Sequence, residues 1–233
     1  MSPEPLKLEA LPTKERSRLT LLLLQEQVVK QRKMLHVWRD ITKQPAQIDT
    51  GYVAQHLVSL VTGIPGAGMR GKGLDLSDGS EIKSANFLDS LDKKGAVAPR
   101  WNFLARNVGD MEAFLGRETL YLVSLDLTKE NRVRARIWRV HPARHEDLIG
   151  RYRLWMEQMG RPKLSDPKRP DANFQLFPPR GGSDDDFGRH GNDRDFPRLK
   201  ISLETGASSK IYHAEEDATG EMQVIVFAPE KAE

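Results

Sequence analysis

The chain has 233 residues, with 36 Lys and Arg against 33 Asp and Glu, 38% hydrophobic and 30% charged side chains, and no cysteine. That length can bury a substantial apolar core as one large domain. Without cysteine there is no disulfide scaffold, thiolate zinc site or iron–sulfur cluster, so any metal must sit on oxygen or imidazole ligands.

No stretch reaches the roughly 18 consecutive apolar residues of a membrane span, and the run from Leu19 to Leu24 lies in a polar frame without a signal-peptide cleavage pattern. A cytoplasmic protein is expected. A net charge of +3 is too small to point to nucleic acid by itself, but the charge is uneven: residues 100–163 hold thirteen Lys and Arg against eight acids.

In chain order, Thr13 to about Thr42 is rich in helix formers, and Leu21, Leu24, Val28, Leu35 and Trp38 fall on heptad a/d positions with Gln31 in the polar slot. This predicts a long amphipathic helix whose stripe either docks on the body of the protein or pairs with a second subunit. A second helix is expected from Asp49 or Thr50 to Thr62, stopping at Gly63-Ile64-Pro65-Gly66. The glycine-rich run Gly66–Gly73 lacks a preceding strand, a Gly-Lys-Ser/Thr ending and a following helix, which excludes a nucleotide phosphate loop and leaves a basic approach to the next segment. Leu74–Ser84 reads as a hairpin, Leu120–Leu127 as a buried strand, Arg132–Val140 as a strand, and Glu146–Met159 as a helix. Residues 160–197 read as a flexible loop insertion, and Arg198–Glu204 and Met222–Ala228 as closing strands. The expected class is α/β (α+β), as a single domain over residues 1–233.

The informative segment is Gly73-Leu74-Asp75-Leu76-Ser77-Asp78-Gly79-Ser80-Glu81-Ile82-Lys83-Ser84. Glu81 and Lys83 share one face of a strand while Ile82 takes the other. With a two-residue turn at Asp78-Gly79, Asp75 lands on the wrong face. With a three-residue turn Ser77-Asp78-Gly79, in which Gly79 supplies the left-handed position, Asp75 lies opposite Glu81. Two carboxylates with Cβ atoms about 5 Å apart repel each other, and a hard divalent cation such as Mg²⁺ removes that penalty. Phosphodiester cleavage needs such an ion, with Lys83 placed to orient water and stabilise the developing oxyanion. Asp78 is assigned to turn formation, with a metal role only in reserve.

Asp75 followed by Glu81-Ile82-Lys83 resembles the active-site hairpin of the PD-(D/E)xK nucleases. The run Gly63–Asp75 with Pro99-Arg100-Trp101-Asn102 is similar to type II restriction endonucleases of the MamI kind. Two positions depart from the pattern: Leu74 stands where proline is usual, and the preceding helix offers Gln55 and His56 where members often carry a further acidic ligand. The resemblance implies a restriction-endonuclease-like mixed central sheet flanked by helices. It also implies Asp75 and Glu81 as metal ligands together with the main-chain carbonyl of Ile82, Lys83 as the catalytic lysine, and Mg²⁺ as cofactor.

For the DNA, Arg70 and Lys72 enter the hairpin as phosphate clamps, and Arg100 and Asn102 are substrate-side candidates. Arg134 and Arg136 alternate with apolar residues, giving a strand with a basic face that is either solvated or turned to DNA. Arg189 belongs to a Gly- and Asp-rich loop, residues 178–194, that either reads bases or connects. Its Asp184-Asp185-Asp186 run lacks the spacing of a calcium loop. The reading is a Mg²⁺-dependent restriction endonuclease acting on double-stranded DNA as a homodimer, with a cognate DNA methyltransferase protecting its host; the alternatives are a mismatch-repair-like nickase and a non-catalytic DNA-binding module.

Overall fold

The computed structural model describes residues 7–68, 74–89, 99–158, 173–191 and 197–229. Its elements in chain order are α1 (Thr13–Leu24), a π-helical segment (Gln25–Lys30), α2 (Gln31–Thr42), α3 (Gly51–Thr62), β1 (Glu81–Asn86), β2 (Trp101–Leu104), α4 (Val108–Leu115), β3 (Leu120–Leu127), β4 (Val133–Val140), α5 (Glu146–Gln158), β5 (Asn173–Leu176), β6 (Phe187–His190), β7 (Leu199–Ser202), β8 (Ser208–Glu216) and β9 (Met222–Phe227).

Strand β3, LYLVSLDL, is buried along nearly its whole length, as expected of a strand covered on both faces. It lies inside a five-stranded sheet of order β1-β3-β4-β8-β9, in which β1 and β3 run parallel and the other neighbours antiparallel. On one face Ile82, Tyr121, Val123, Ile137 and Tyr212 pack with Leu24, Val28, Leu57, Val58 and Val61 of the helices. On the other, Leu120, Leu122, Trp138 and Val140 meet Phe103, Phe114, Leu148, Tyr152, Trp155 and Phe174. Full burial of each such side chain is worth about 1.5–3 kcal/mol, so two aromatic-rich cores hold the sheet from both sides. The mixed central sheet flanked by helices is the expected class.

The N-terminal helix runs from Thr13 to Thr42, and its middle turn is π-helical. A π-turn takes up one residue more than an α-turn, which rotates the following face by roughly 100°. Leu24, Val28 and Val29 are therefore buried together, while Trp38, expected on the same stripe, is 55% exposed beside Met34, Val37 and Ile41. Arg16 donates to the carbonyls of Leu60 and Val61 at 3.2 and 2.8 Å, closing the last turn of α3, which ends at the left-handed Gly63.

Two expectations are corrected. The stretch assigned to a flexible insertion, residues 160–197, contains β5 and β6. In Asn-Phe-Gln-Leu of β5 the alternation places Phe174 and Leu176 in the core at 0% and 1% exposure, and β6 pairs with β7. Residues 159–172 and 192–196 lie outside the described residues.

The second concerns Arg134 and Arg136, expected on a basic face open to solvent or DNA. They are 2% and 1% exposed because residues 183–186 lie over that face of β4. Asp126, also fully buried, accepts from both guanidinium groups at 2.7 Å, Arg134 and Arg136 donate to the Ser183 carbonyl, and Arg136 also stacks 5.0 Å from the Trp138 ring. The Asp184-Asp185-Asp186 run completes this anchor: Asp186 accepts from the Trp138 indole at 3.0 Å and from Lys210 at 2.8 Å. These arginines are internal counter-charges that tie a loop to the sheet.

Candidate active site

The turn ahead of β1 is set by local chemistry. Gly79 adopts φ +91°, its N–H bonds to the Leu76 carbonyl at 3.1 Å, and the Asp75 and Leu76 N–H groups both reach the Ser80 carbonyl at 3.2 Å. A side chain at Gly79 would be strained in that left-handed conformation. Asp78 accepts from the Ser80 N–H and hydroxyl at 2.9 Å each, which is turn formation. The hairpin expected over Leu74–Ser84 is shorter than predicted: Leu76 makes a single bridge to Gly66, and the continuous partner of β1 is β3, with Glu81 opposite Leu120 and Lys83 opposite Leu122.

The Asp75 carboxylate is braced from two elements. Gln55 on α3 donates to Oδ1 at 2.9 Å, and the Ile82 N–H donates to Oδ2 at 2.7 Å, so the carboxylate lies against the peptide joining Glu81 to Ile82. The glutamine that stands where an acid was expected on α3 thus orients Asp75. His56, its neighbour, is exposed.

Glu81 and Lys83 project from β1 on the face opposite Ile82, which is buried in the α3-side core. The Lys83 ammonium donates to Glu81 Oε1 at 2.5 Å, and Arg117 Nη2 lies 3.1 Å from Glu81 Oε2. Glu81, Lys83 and Arg117 line a cleft of about 370 Å³ with Asn102, Asp110 and Asn173 as further polar walls and Phe103, Leu104, Ala113 and Phe114 as apolar ones. Asp75 is not among the residues lining this cleft and meets β1 at the peptide that joins Glu81 to Ile82. Among the described residues no three His, Asp or Glu side chains form a ready metal cluster. A larger groove of about 850 Å³, with Arg139, His141, Arg144 and Ser209, includes neither Glu81 nor Lys83.

Of the remaining expected residues, Asn102 is exposed on β2 and faces the cleft, while its neighbour Trp101 is core, its indole N–H bonded to the Val123 carbonyl at 2.9 Å. Arg100 is exposed and outside the cleft. Arg189 is half-buried on β6, and burial pushes its guanidinium below the usual pKa. Arg70 and Lys72 lie outside the described residues. Sequence reasoning missed Arg117 and Asn173. Arg117 follows α4, whose start carries a legible cap, Asn107 accepting from the Asp110 N–H at 2.9 Å.

Chemically, the cleft offers a carboxylate flanked by an ammonium and a guanidinium, with side-chain exposures of 13%, 30% and 29%. Two cations share the one carboxylate of Glu81, while Asp110 on the same wall is paired with Arg106 at 2.9 Å, so Lys83 and Arg117 can receive an anionic group.

The model of the MamI restriction endonuclease family matches residues 37–214. A curated relative, the type II restriction enzyme MamI of Microbacterium ammoniaphilum, is 36% identical over 175 residues, covering 66% of this chain and 51% of the relative. The chain therefore spans about half the length of that relative. No solved structure matches it. The matched segment runs from within α2 to within β8 and takes in Gln55, Asp75, Glu81, Lys83, Asn102, Arg117 and Asn173, and on that match this chain belongs to the MamI restriction endonuclease family.

Proposed function

We propose that the chain is a type II restriction endonuclease that hydrolyses phosphodiester bonds of double-stranded DNA at a specific site, with Mg²⁺ as cofactor and the PD-(D/E)xK residues Asp75, Glu81 and Lys83 as its catalytic set. The observation that carries this reading is the Glu81–Lys83 pair, 2.5 Å apart in a cleft within the family segment, with Asp75 braced one peptide away. The donor set suits a hard cation, since Asp75, Glu81 and the Ile82 carbonyl provide oxygen alone. When bound there, a divalent ion supplies the charge that activates water and offsets charge growing on the phosphate. Lys83 orients the attacking water and hydrogen-bonds a non-bridging oxygen of the phosphate as negative charge grows there, and Gln55 keeps Asp75 in position. Arg70, Lys72, Arg100, Asn102 and Arg189 are proposed to contact DNA, outside the buried pair Arg134 and Arg136.

Cutting both strands in one event with one site per chain requires two copies acting together, so the protein is proposed to work as a cytoplasmic homodimer on a two-fold site, with a methyltransferase of the same specificity as its functional partner. Supercoiled plasmid with Mg²⁺ tests the reading. The expected result is linear product with defined ends for the parent chain, and loss of cleavage with retained binding for Glu81→Gln and Lys83→Ala. Accumulation of open circles would instead identify a nickase, and binding without cleavage by the parent in Mg²⁺ or Mn²⁺ a non-catalytic module.

A further inference from the structure

Glu81 is largely enclosed, with its side chain 13% exposed, and both of its oxygens are engaged by cations from different parts of the fold: Oε1 by Lys83 of the same strand and Oε2 by Arg117 from the turn that follows α4. One carboxylate thus faces two positive groups. A divalent ion liganded by Glu81 would add two more positive charges within contact distance, and like charges in a partly buried cleft repel too strongly for all three to stay on one carboxylate.

The two resident cations differ in their freedom to yield. Lys83 extends from β1 itself, two residues from Glu81, and β1 is held in register along β3. Arg117 follows Gly116, and its backbone N–H bonds to the Phe114 carbonyl at 3.2 Å, so its side chain enters the cleft from a helix end. Its side chain is 29% exposed and shares the cleft with Asn102 and Asn173. A guanidinium leaving Glu81 here remains inside the cleft, and its planar fork matches two phosphate oxygens as well as it matches a carboxylate.

We propose that Arg117 is a positioning residue with two partners: it holds Glu81 Oε2 until a divalent cation takes that carboxylate, and then turns to the substrate's phosphate group. This rests on the metal-dependent reading of the cleft given above. Arg117 accordingly opposes metal binding in the absence of DNA and favours DNA binding once metal is present, two effects of opposite sign from one side chain.

The test measures both in the 233-residue chain. Free Mn²⁺ is followed by electron paramagnetic resonance during titration of the parent and of Arg117→Gln without DNA. The variant is expected to bind Mn²⁺ about tenfold more tightly, corresponding to loss of one charge-assisted contact to Glu81. The gain should persist from low to about 0.5 M KCl, because displacement of a contact is not screened as a distant field is. With Ca²⁺ present, the variant's affinity for duplex DNA should fall and its salt slope decrease by about 1, and its plasmid cleavage rate at saturating Mg²⁺ should drop on the order of 100-fold. Mn²⁺ affinity equal to or weaker than the parent's, or undiminished cleavage, overturns the proposal. Arg117→Met, which keeps the aliphatic stem, replaces the glutamine variant if that variant melts early, with the same expected results. Glu81→Gln separates the two levels: if it cleaves like the parent, the metal-site reading fails, whereas if it is inactive while Arg117→Gln binds Mn²⁺ like the parent, the role of Arg117 alone is refuted.

Discussion

Asp75 and Gly79 illustrate how much of the site rests on single side chains. Asp75 receives one hydrogen bond from the Gln55 side chain and one from the Ile82 main chain. Gln55→Leu removes the first and leaves the second, and plasmid cleavage is expected to fall about 10-fold to 100-fold, as when the outer partner of a ligating carboxylate is lost. A rate equal to the parent's would show that Asp75 needs no such brace. Gly79 sits at φ +91°, so Gly79→Ala is expected to cost about 1 kcal/mol, read as a shift in the urea midpoint at constant slope. At this scale the sequence was informative: Glu-x-Lys on a strand, and a three-residue turn with glycine at its left-handed position, were both legible because side-chain alternation and backbone sterics are local. Arg117 was not, since its approach to Glu81 depends on how α4 is packed against β2 and α5.

Among the elements, the β3–β4 pair carries the most exacting electrostatics. Asp126 balances two buried guanidinium groups, and Asp126→Asn would remove the carboxylate they share, leaving Arg134 only the longer pairs to Asp184 and Glu215 at 3.7 and 3.9 Å, at a cost of about 3–5 kcal/mol measurable by denaturant unfolding. A smaller loss would mean that the carbonyls of Ser183 and Asp185 suffice.

A second element-level prediction concerns His190 on β6, which stacks 4.2 Å from Phe174 and bonds through Nδ1 to the Gln175 carbonyl at 2.7 Å. Burial pushes its pKa down from 6.5 to about 4, against the opposing influence of the Gln175 carbonyl. The neutral imidazole is the form the fold accepts. Its stabilising contribution is therefore complete above pH 6.5 and is lost as the pH falls toward about 4. Relative to His190→Asn, the parent should lose up to about 3 kcal/mol across that window, followed by chemical denaturation at stepped pH. Parallel pH profiles for the two proteins would contradict this. The strand itself was read as loop because its four residues include a glycine and its partner, β7, comes from beyond residues 192–196.

For the molecule as a whole, the proposal that one site per chain cuts both strands in one event predicts a protein that acts as two copies. Size exclusion with light scattering on duplex DNA should give the mass of a dimer, near twice 26.4 kDa plus the DNA. A monomer that cuts only one strand would point to nicking.

The amino-acid sequence alone determined the long N-terminal helix, the α3 helix, strands β3 and β4, and the glycine-bearing turn ahead of β1. Each follows from periodicity or backbone sterics within a few residues. Tertiary structure decided which faces are covered. One π-turn swung Trp38 outward, residues 183–186 closed over Arg134 and Arg136 and turned them into an internal anchor, and the end of α4 delivered Arg117 to Glu81. Burial and ion pairing between distant segments depend on which surface meets which, and spacing along a chain does not record that.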